Sequence, residues 1–430
     1  MKICVSFLAL AASIVPAPLR AAAKPPLRAG AARIDITPGK DESLQMSGYA
    51  ARMEGHKGIH DNLFVRAIVM EAGAARAAII TADLVGLSND FWNTMSERIA
   101  SESKIPRDNI LIAGTHTHSA PSPGTYGAPL DPASKQGQYV KRVQDAMAEA
   151  VREAQQKLQP ASIGAGLGRA NVNVNRRALF ADGTWWLGIN PDGASDKTVG
   201  VIEFATASGY PIAIFINYAV HGTGMGQENY LISADVPGAT SRRVEQQFGD
   251  KIVAVWTSGA AGDQCPIYDR SARSFDGVMA IGRILGDEVI RLAESIRTTP
   301  EVSIRGAQKV ISCPGQKFIP GPHGRKDGTF QDADAVNIRL SLLRINDIVL
   351  GGVSGEVLTL IGQRFKHEAR LPNTMMVTHC NGSSGYLPDD AAFKQVSYEI
   401  QTARVKPGAE AAIVNGLLEL MKGQSKVAKR

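Results

Sequence analysis

Eight apolar, β-branched runs separated by helical stretches constrain this chain most. They fall at 64–71, 77–86, 109–114, 200–204, 211–218, 252–257, 347–353 and 375–379. Several carry no polar alternation, as expected of strands buried on both faces. Between them, 138–158 places Val140, Val143, Met147, Val151 and Leu158 at helical spacing, and 234–248, 274–297 and 357–369 also predict helices. The pattern predicts an α/β fold with a mixed β-sheet core flanked by helices. Residues 119–136 and 313–335 are rich in Gly and Pro and predict long loops, a length common in lids and binding loops. With no internal repeat, low-complexity tract or linker, the expected arrangement is one domain over 24–430.

The first 23 residues stand apart. Lys2, an apolar run from Ile3 to about Val15 and an Ala-x-Ala site ending at Ala23 predict a cleavable signal peptide and a secreted or periplasmic protein. The competing reading, a membrane anchor, suits a longer run without Pro16 and Pro18. Removing Lys2 and Arg20 reduces a formal charge of +6 to +4, too mild to argue for nucleic acid. The tail KGQSKVAKR reads as a solvated end, compatible with weak contact at an anionic membrane surface. Beyond Cys4, the cysteines are Cys265, Cys313 and Cys380, an odd number that leaves at least one thiol outside any intramolecular disulfide.

In open α/β sheets, ligands gather beyond the carboxyl ends of strands. Five apolar runs here lead into ligand-capable side chains: His116 and His118, His221, Asp263 with Cys265, Glu356, and Tyr386. If the extended conformation persists through 116–118, both imidazoles point to one face. Two His and one carboxylate form a common catalytic zinc set that leaves a position for water, and His116, His221 and Glu356 supply it. The bland readings are satisfied core histidines, a Glu356 favoured by a helix N-terminus, a Tyr386 buried with its hydroxyl bonded, and an Arg176 on the surface. Asp235 reads as a capping or supporting residue and Asp263 as one that shapes its loop.

The segments GTHTHSAPSP, NYAVHGTGM, ISADVPG, SGAAGDQCP, GEVLTLIGQR and GYLPDDAAFKQVSYEIQTAR resemble, in the same order, the motifs of the neutral/alkaline ceramidase family. So do the opening GAARIDITPG and SGYAARMEGHKGIHDNLFVRAIVME, and the resemblance runs from about Ala29 to Ala403. It implies a zinc-dependent amide hydrolase that uses zinc-activated water, with ceramide or another small-molecule or lipid N-acyl compound as substrate. His116, His221 and Glu356 then match zinc ligands, and Tyr386 a tyrosine at the metal. His118 matches a general acid/base, Arg176 an arginine lining the substrate site, and Tyr398 a tyrosine near the scissile carbonyl.

Two departures bear on substrate. Cys265 occupies the position of a family serine that contacts substrate, and a thiol is a poorer hydrogen-bond partner than a hydroxyl. The chain also ends at Arg430, so the β-sandwich domain that follows in typical ceramidases is not expected. Other readings remain open at this point: a cysteine hydrolase using Cys265, a non-catalytic zinc-containing binding protein, and a metal-dependent amidohydrolase barrel. A serine α/β-hydrolase is disfavoured because no Gly-x-Ser-x-Gly elbow occurs.

Overall fold

Strand and helix alternate through the computed structural model, which describes residues 24–124, 130–267 and 273–427. The expected signal segment lies outside the described residues. The N-terminal part comprises β1 (Leu27–Asp35), β2 (Gly58–Ile59), β3 (Phe64–Ala72), β4 (Ala75–Ala82), α1 (Asn89–Ser103), β5 (Ile110–Gly114) and α2 (Lys135–Gln156). The middle adds β6 (Gln159–Arg169), β7 (Asn173–Leu179), β8 (Trp185–Asn190), β9 (Thr198–Thr206), β10 (Pro211–Tyr218) and β11 (Leu231–Ile232). It continues with α3 (Asp235–Gln247), β12 (Val253–Ser258), β13 (Gln264–Pro266) and α4 (Phe275–Ala293). The last part holds β14 (Ile304–Gly321), β15 (Gly324–Ile345), β16 (Ile348–Val353), β17 (Glu356–Val357) and α5 (Thr359–Ala369). After it come β18 (Asn373–Val377), β19 (Tyr386–Leu387), α6 (Tyr398–Thr402) and α7 (Ala409–Val427).

Eight strands form an open mixed sheet in the order β12-β10-β9-β6-β1-β3-β4-β5, and four form a second sheet, β14-β15-β16-β18. No closed barrel occurs among the described residues, so the amidohydrolase-barrel alternative falls. Strand alternation explains how the sheets stack. Ile68, Met70, Ile79, Phe204 and Phe215 of the large sheet share one apolar cluster with Leu343, Ile345, Leu350 and Val377 of the small one. The opposite face of the large sheet buries Val65, Val69 and Ile80 against α1 and α2. Its other half buries Ile214, Ile216 and Trp256 against α3 and α4. Leu340, Leu342 and Val349 turn the outer face of the small sheet towards α5 and α7. The result is four layers, helix–sheet–sheet–helix. No described helix is long and apolar enough to cross a membrane.

Helices α2 and α4 start where the sequence places capping side chains. Ser134 accepts from the Gly137 N–H at α2 and Ser274 from the Gly277 N–H at α4, satisfying donors with no partner inside the helix.

The expected loop at 313–335 is instead strand. β14 and β15 pair antiparallel almost throughout, from Ile304↔Ile345 to Gly321↔Gly324. Pro314 and Pro320 sit where the register shifts, between Cys313 and Gly315 and between Ile319 and Gly321. Proline lacks the ladder N–H and is tolerated at such bulges, so its presence does not break this hairpin. Across 119–136, the described residues before α2 form no helix or strand.

Candidate metal centre

The two sheets join at the ends of their parallel strand pairs. Thr378 N–H donates to the Ser258 carbonyl, Asn381 N–H to Ile112, and Ala113 bridges Cys380, so the ends of β5, β12 and β18 meet. His116 and His118 follow β5, His221 follows β10, Glu356 opens β17, and His379 follows β18.

The histidine pair converges by a route different from the one its spacing predicts. β5 ends at Gly114, and His116 has φ 67°, so the chain turns through the left-handed region instead of staying extended. The turned segment is recaptured by His118 N–H donating to the Gly222 carbonyl and Gly222 N–H to His116. The rings then stand nearly perpendicular, with Nε2 atoms 3.2 Å apart. Gly48 permits this approach, since a Cβ there would lie 2.5 Å from His118 Cγ. The buried Arg52 guanidinium donates to the His118 and Ser47 carbonyls, fixing the loop beneath the ring.

Nδ1 of His116 lies 2.6 Å from the Val85 carbonyl, and Nδ1 of His221 lies 2.7 Å from Ala261 and 2.9 Å from Gln264. A carbonyl only accepts, so each Nδ1 carries a proton, and in the neutral ring each Nε2 then holds the lone pair. Burial, reinforced by Arg176 and His116, pushes His221 down to about 3. Burial, with His116 and His221 beside it, likewise holds His118 well below the ordinary histidine range. Glu356 Oε2 lies 3.5 Å from His116 Nε2 and 3.3 Å from His221 Nε2. Burial pushes the Glu356 carboxyl up, but the adjacent imidazoles outweigh it and hold the group well below the usual carboxylate range. His221 Nε2, Glu356 Oε2 and His118 Nδ1 are buried without a hydrogen-bond partner.

In neutral rings these converging lone pairs, facing a carboxylate, repel one another unless a proton or a metal cation sits among them. Tetrahedral zinc with bonds of about 2.0–2.1 Å separates its ligand atoms by roughly 3.3 Å. The 3.3 and 3.5 Å separations of Glu356 Oε2 from the His221 and His116 Nε2 atoms fit that ion, and His116, His118 and His221 also qualify together as a metal-holding group.

Tyr386 is brought in by register: β17 and β19 pair in parallel with Glu356 opposite Tyr386. Its hydroxyl accepts from Arg176 Nη2 at 2.9 Å, while Arg176 Nε donates to the fully buried Glu399 at 2.8 Å. Arg176 is therefore buried, not a surface charge. The neighbouring Arg177 lies 3.8 Å from the other Glu399 oxygen and donates to Ser397, Ala392 and Gln395. Tyr398 packs edge-on to Tyr386 at 5.7 Å and to Trp186 at 5.8 Å. Cys265 is buried in β13 and lines a cleft of about 80 Å³ with Tyr49, Arg176, Thr223 and Arg273. Glu356 precedes α5 by three residues and lies in a strand, so it is not a residue of that helix's first turn.

Asp263 accepts from the Thr359 N–H and hydroxyl and from Asn175, shaping its loop as expected. Asp235 accepts from the Val236 and Gly224 N–H groups at the start of α3. Asp83 instead pairs with the buried Arg66. Sequence reasoning missed Glu399, Trp186 and His379. The last forms a second metal-holding group with His116 and Glu356.

The family model for the N-terminal part of neutral/alkaline non-lysosomal ceramidases matches residues 27–278, which include His116, His118, Arg176, His221 and Cys265. The chain is 29% identical over 257 residues to the neutral ceramidase of Pseudomonas aeruginosa, covering 56% of this chain and 37% of that protein. It is 30% identical over 222 residues to neutral ceramidase A of Dictyostelium discoideum, covering 48% of this chain and 30% of that protein. The alignments thus span about a third of the curated relatives' length. A ceramidase complexed with C2 superposes with a TM-score of 0.79 at 19% identity, over 94% of this chain and 76% of that one. The Pseudomonas aeruginosa neutral ceramidase structure gives 0.76 at 20% identity, over 92% and 74%. These structures share the fold; with the family match over more than half its length, the chain belongs to the neutral/alkaline non-lysosomal ceramidase family.

Proposed function

We propose that this chain is an exported, zinc-dependent hydrolase that cleaves the amide bond of an N-acyl lipid, with ceramide the first substrate to test. The observation that carries the reading is the convergence of bare acceptors from His116, His221 and Glu356 at the junction of the sheets, in a member of this family. His116 and His221 would hold the ion through Nε2 and Glu356 through Oε2, with the Tyr386 hydroxyl alongside. Zinc bound there supplies Lewis acidity and lowers the pKa of a coordinated water towards neutrality.

The remaining residues divide the work by position. His118, kept neutral by burial, accepts a proton at physiological pH and delivers it to the leaving amine. Arg176, anchored by Glu399, and Tyr398 present cationic and phenolic donors where negative charge develops on the scissile carbonyl. Cys265 forms part of the cleft wall, and its weak thiol donor favours an N-acyl substrate altered from ceramide in its polar head.

The test is metal analysis of the purified protein together with hydrolysis of an N-acyl panel containing a short-chain ceramide, before and after chelation. About one zinc per chain with chelator-sensitive cleavage is expected. Cleavage that survives complete metal removal would reject the mechanism, and bound zinc without cleavage of any amide would reject the activity.

A further inference from the structure

His379 is buried, 7% exposed, and neither ring nitrogen has a hydrogen-bond partner among the described residues. Its ring lies face to face on that of His116, with centroids 3.7 Å apart and planes inclined by 17°. One His379 nitrogen falls within 4.8 Å of ligand atoms of both His116 and Glu356. That proximity alone would make it another metal ligand. The ring planes exclude this role, because an imidazole lone pair lies in its ring plane, and two nearly parallel rings at this spacing cannot both aim at one ion.

The backbone shows that the placement is enforced. His379 has φ 52°, an uncommon left-handed conformation for a non-glycine residue, and its stacking partner His116 is left-handed too. Such strain persists only where surroundings over-determine it. Here Thr378 donates its N–H and hydroxyl to Ser258 and Gly259. On the other side, Asn381 donates to Ile110 and Ser341 and accepts from the Ile112 N–H. His379 N–H donates to Gly355, next to Glu356.

We propose that His379 is a positioning residue: its ring face clamps the His116 imidazole so that Nδ1 stays on the Val85 carbonyl and Nε2 stays aimed at Glu356 and His221. The clamp acts where the Val85 bond cannot. One hydrogen bond at the ring edge leaves rotation about its own axis free, whereas a stacked face restricts it. The role rests on the zinc reading above and adds a residue that never touches the ion.

The test uses the full chain with His379→Asn and His379→Phe. Asparagine suits a left-handed backbone but has no ring, whereas phenylalanine keeps the ring face without nitrogens. Zinc affinity is measured by competition with a chromophoric chelator, and the ligand field from the visible spectrum of the cobalt(II)-substituted protein. The Asn variant is expected to bind zinc about ten-fold or more weakly, the usual effect of losing an orienting group, with altered cobalt bands. The Phe variant should stay within about three-fold of wild type, with unchanged bands. Wild-type affinity and bands in the Asn variant would overturn the proposal. So would equal loss in Asn and Phe variants that keep the wild-type circular dichroism, because a nitrogen would then be acting. If Phe does not fold at this left-handed position, the Asn variant decides alone. Failure of wild type itself to bind zinc or cobalt would overturn the proposed function instead.

Discussion

At the scale of single residues, His116 and His118 have different surroundings and different expected losses. His116 is fixed at Nδ1 by Val85 and faces Glu356 and His221 with Nε2, whereas His118 Nδ1 has no partner. His116→Ala should remove most bound zinc and turnover together. His118→Ala should retain about one zinc per chain and lose roughly 10²–10⁴-fold in kcat, the usual range for an acid/base group. Metal analysis beside steady-state kinetics separates the two, and equal zinc loss would make His118 a ligand, a role its 3.2 Å approach to His116 geometrically allows. His116, His118, His221 and Glu356 were legible because each follows an apolar run. His379 ends the run 375–379 and carries the same sign; what the run does not reveal is its stacking on His116, which depends on two left-handed residues brought together by the join between sheets. Turn chemistry in Cys380-Asn381-Gly382 marks a bend there without saying what it aims.

Among the elements, β9 carries one residue that its pattern does not explain. Val199, Val201, Ile202 and Phe204 are buried apolar residues on both faces, yet Glu203 between them is buried too and has no side-chain hydrogen bond among the described residues. Burial pushes its carboxyl up to about 7, above about 4.3 for an unfolded glutamate. The folded protein therefore retains this proton to higher pH than the unfolded chain does. The group leaves stability intact below about pH 4 and removes it progressively as pH rises through about 7. Glu203→Gln should match wild type near pH 4 and be more stable by about 1–2 kcal/mol near pH 8. Urea unfolding at both pH values checks this, and an equal difference at each would show that charge is not the cause. The central strands were legible at this scale; β10 is found at Pro211–Tyr218, as its apolar run indicates. The β14–β15 hairpin was hidden because its prolines sit at bulges and many of its residues are exposed, leaving no continuous apolar face to reveal a strand.

Across the whole molecule, the alternation of runs indicated sheet and helices, but not that two sheets face each other. Both faces of a run such as β16 are apolar, so the sequence alone does not tell a helix-covered face from a sheet-covered one. The consequence is that the candidate metal centre is also a joint. His116, His118 and His221 belong to the large sheet's strand ends, while Glu356 follows β16 of the small sheet. An ion held by both would stabilise the folded state by mass action, about 4 kcal/mol when free zinc exceeds its dissociation constant a thousand-fold. Chelation should thus lower the unfolding temperature and, before global unfolding, loosen this joint more than the sheet interiors. The amides that read it are Thr378, donating to Ser258, and Asn381, donating to Ile112. Hydrogen exchange at both should accelerate on zinc removal, whereas Ile68 and Met70 within β3, inside the same sheet and two strands in from β5, should keep their protection. Uniform acceleration through both sheets would mean that the ion supports only global stability. An unchanged unfolding temperature and exchange pattern would remove the structural role while leaving a catalytic one intact.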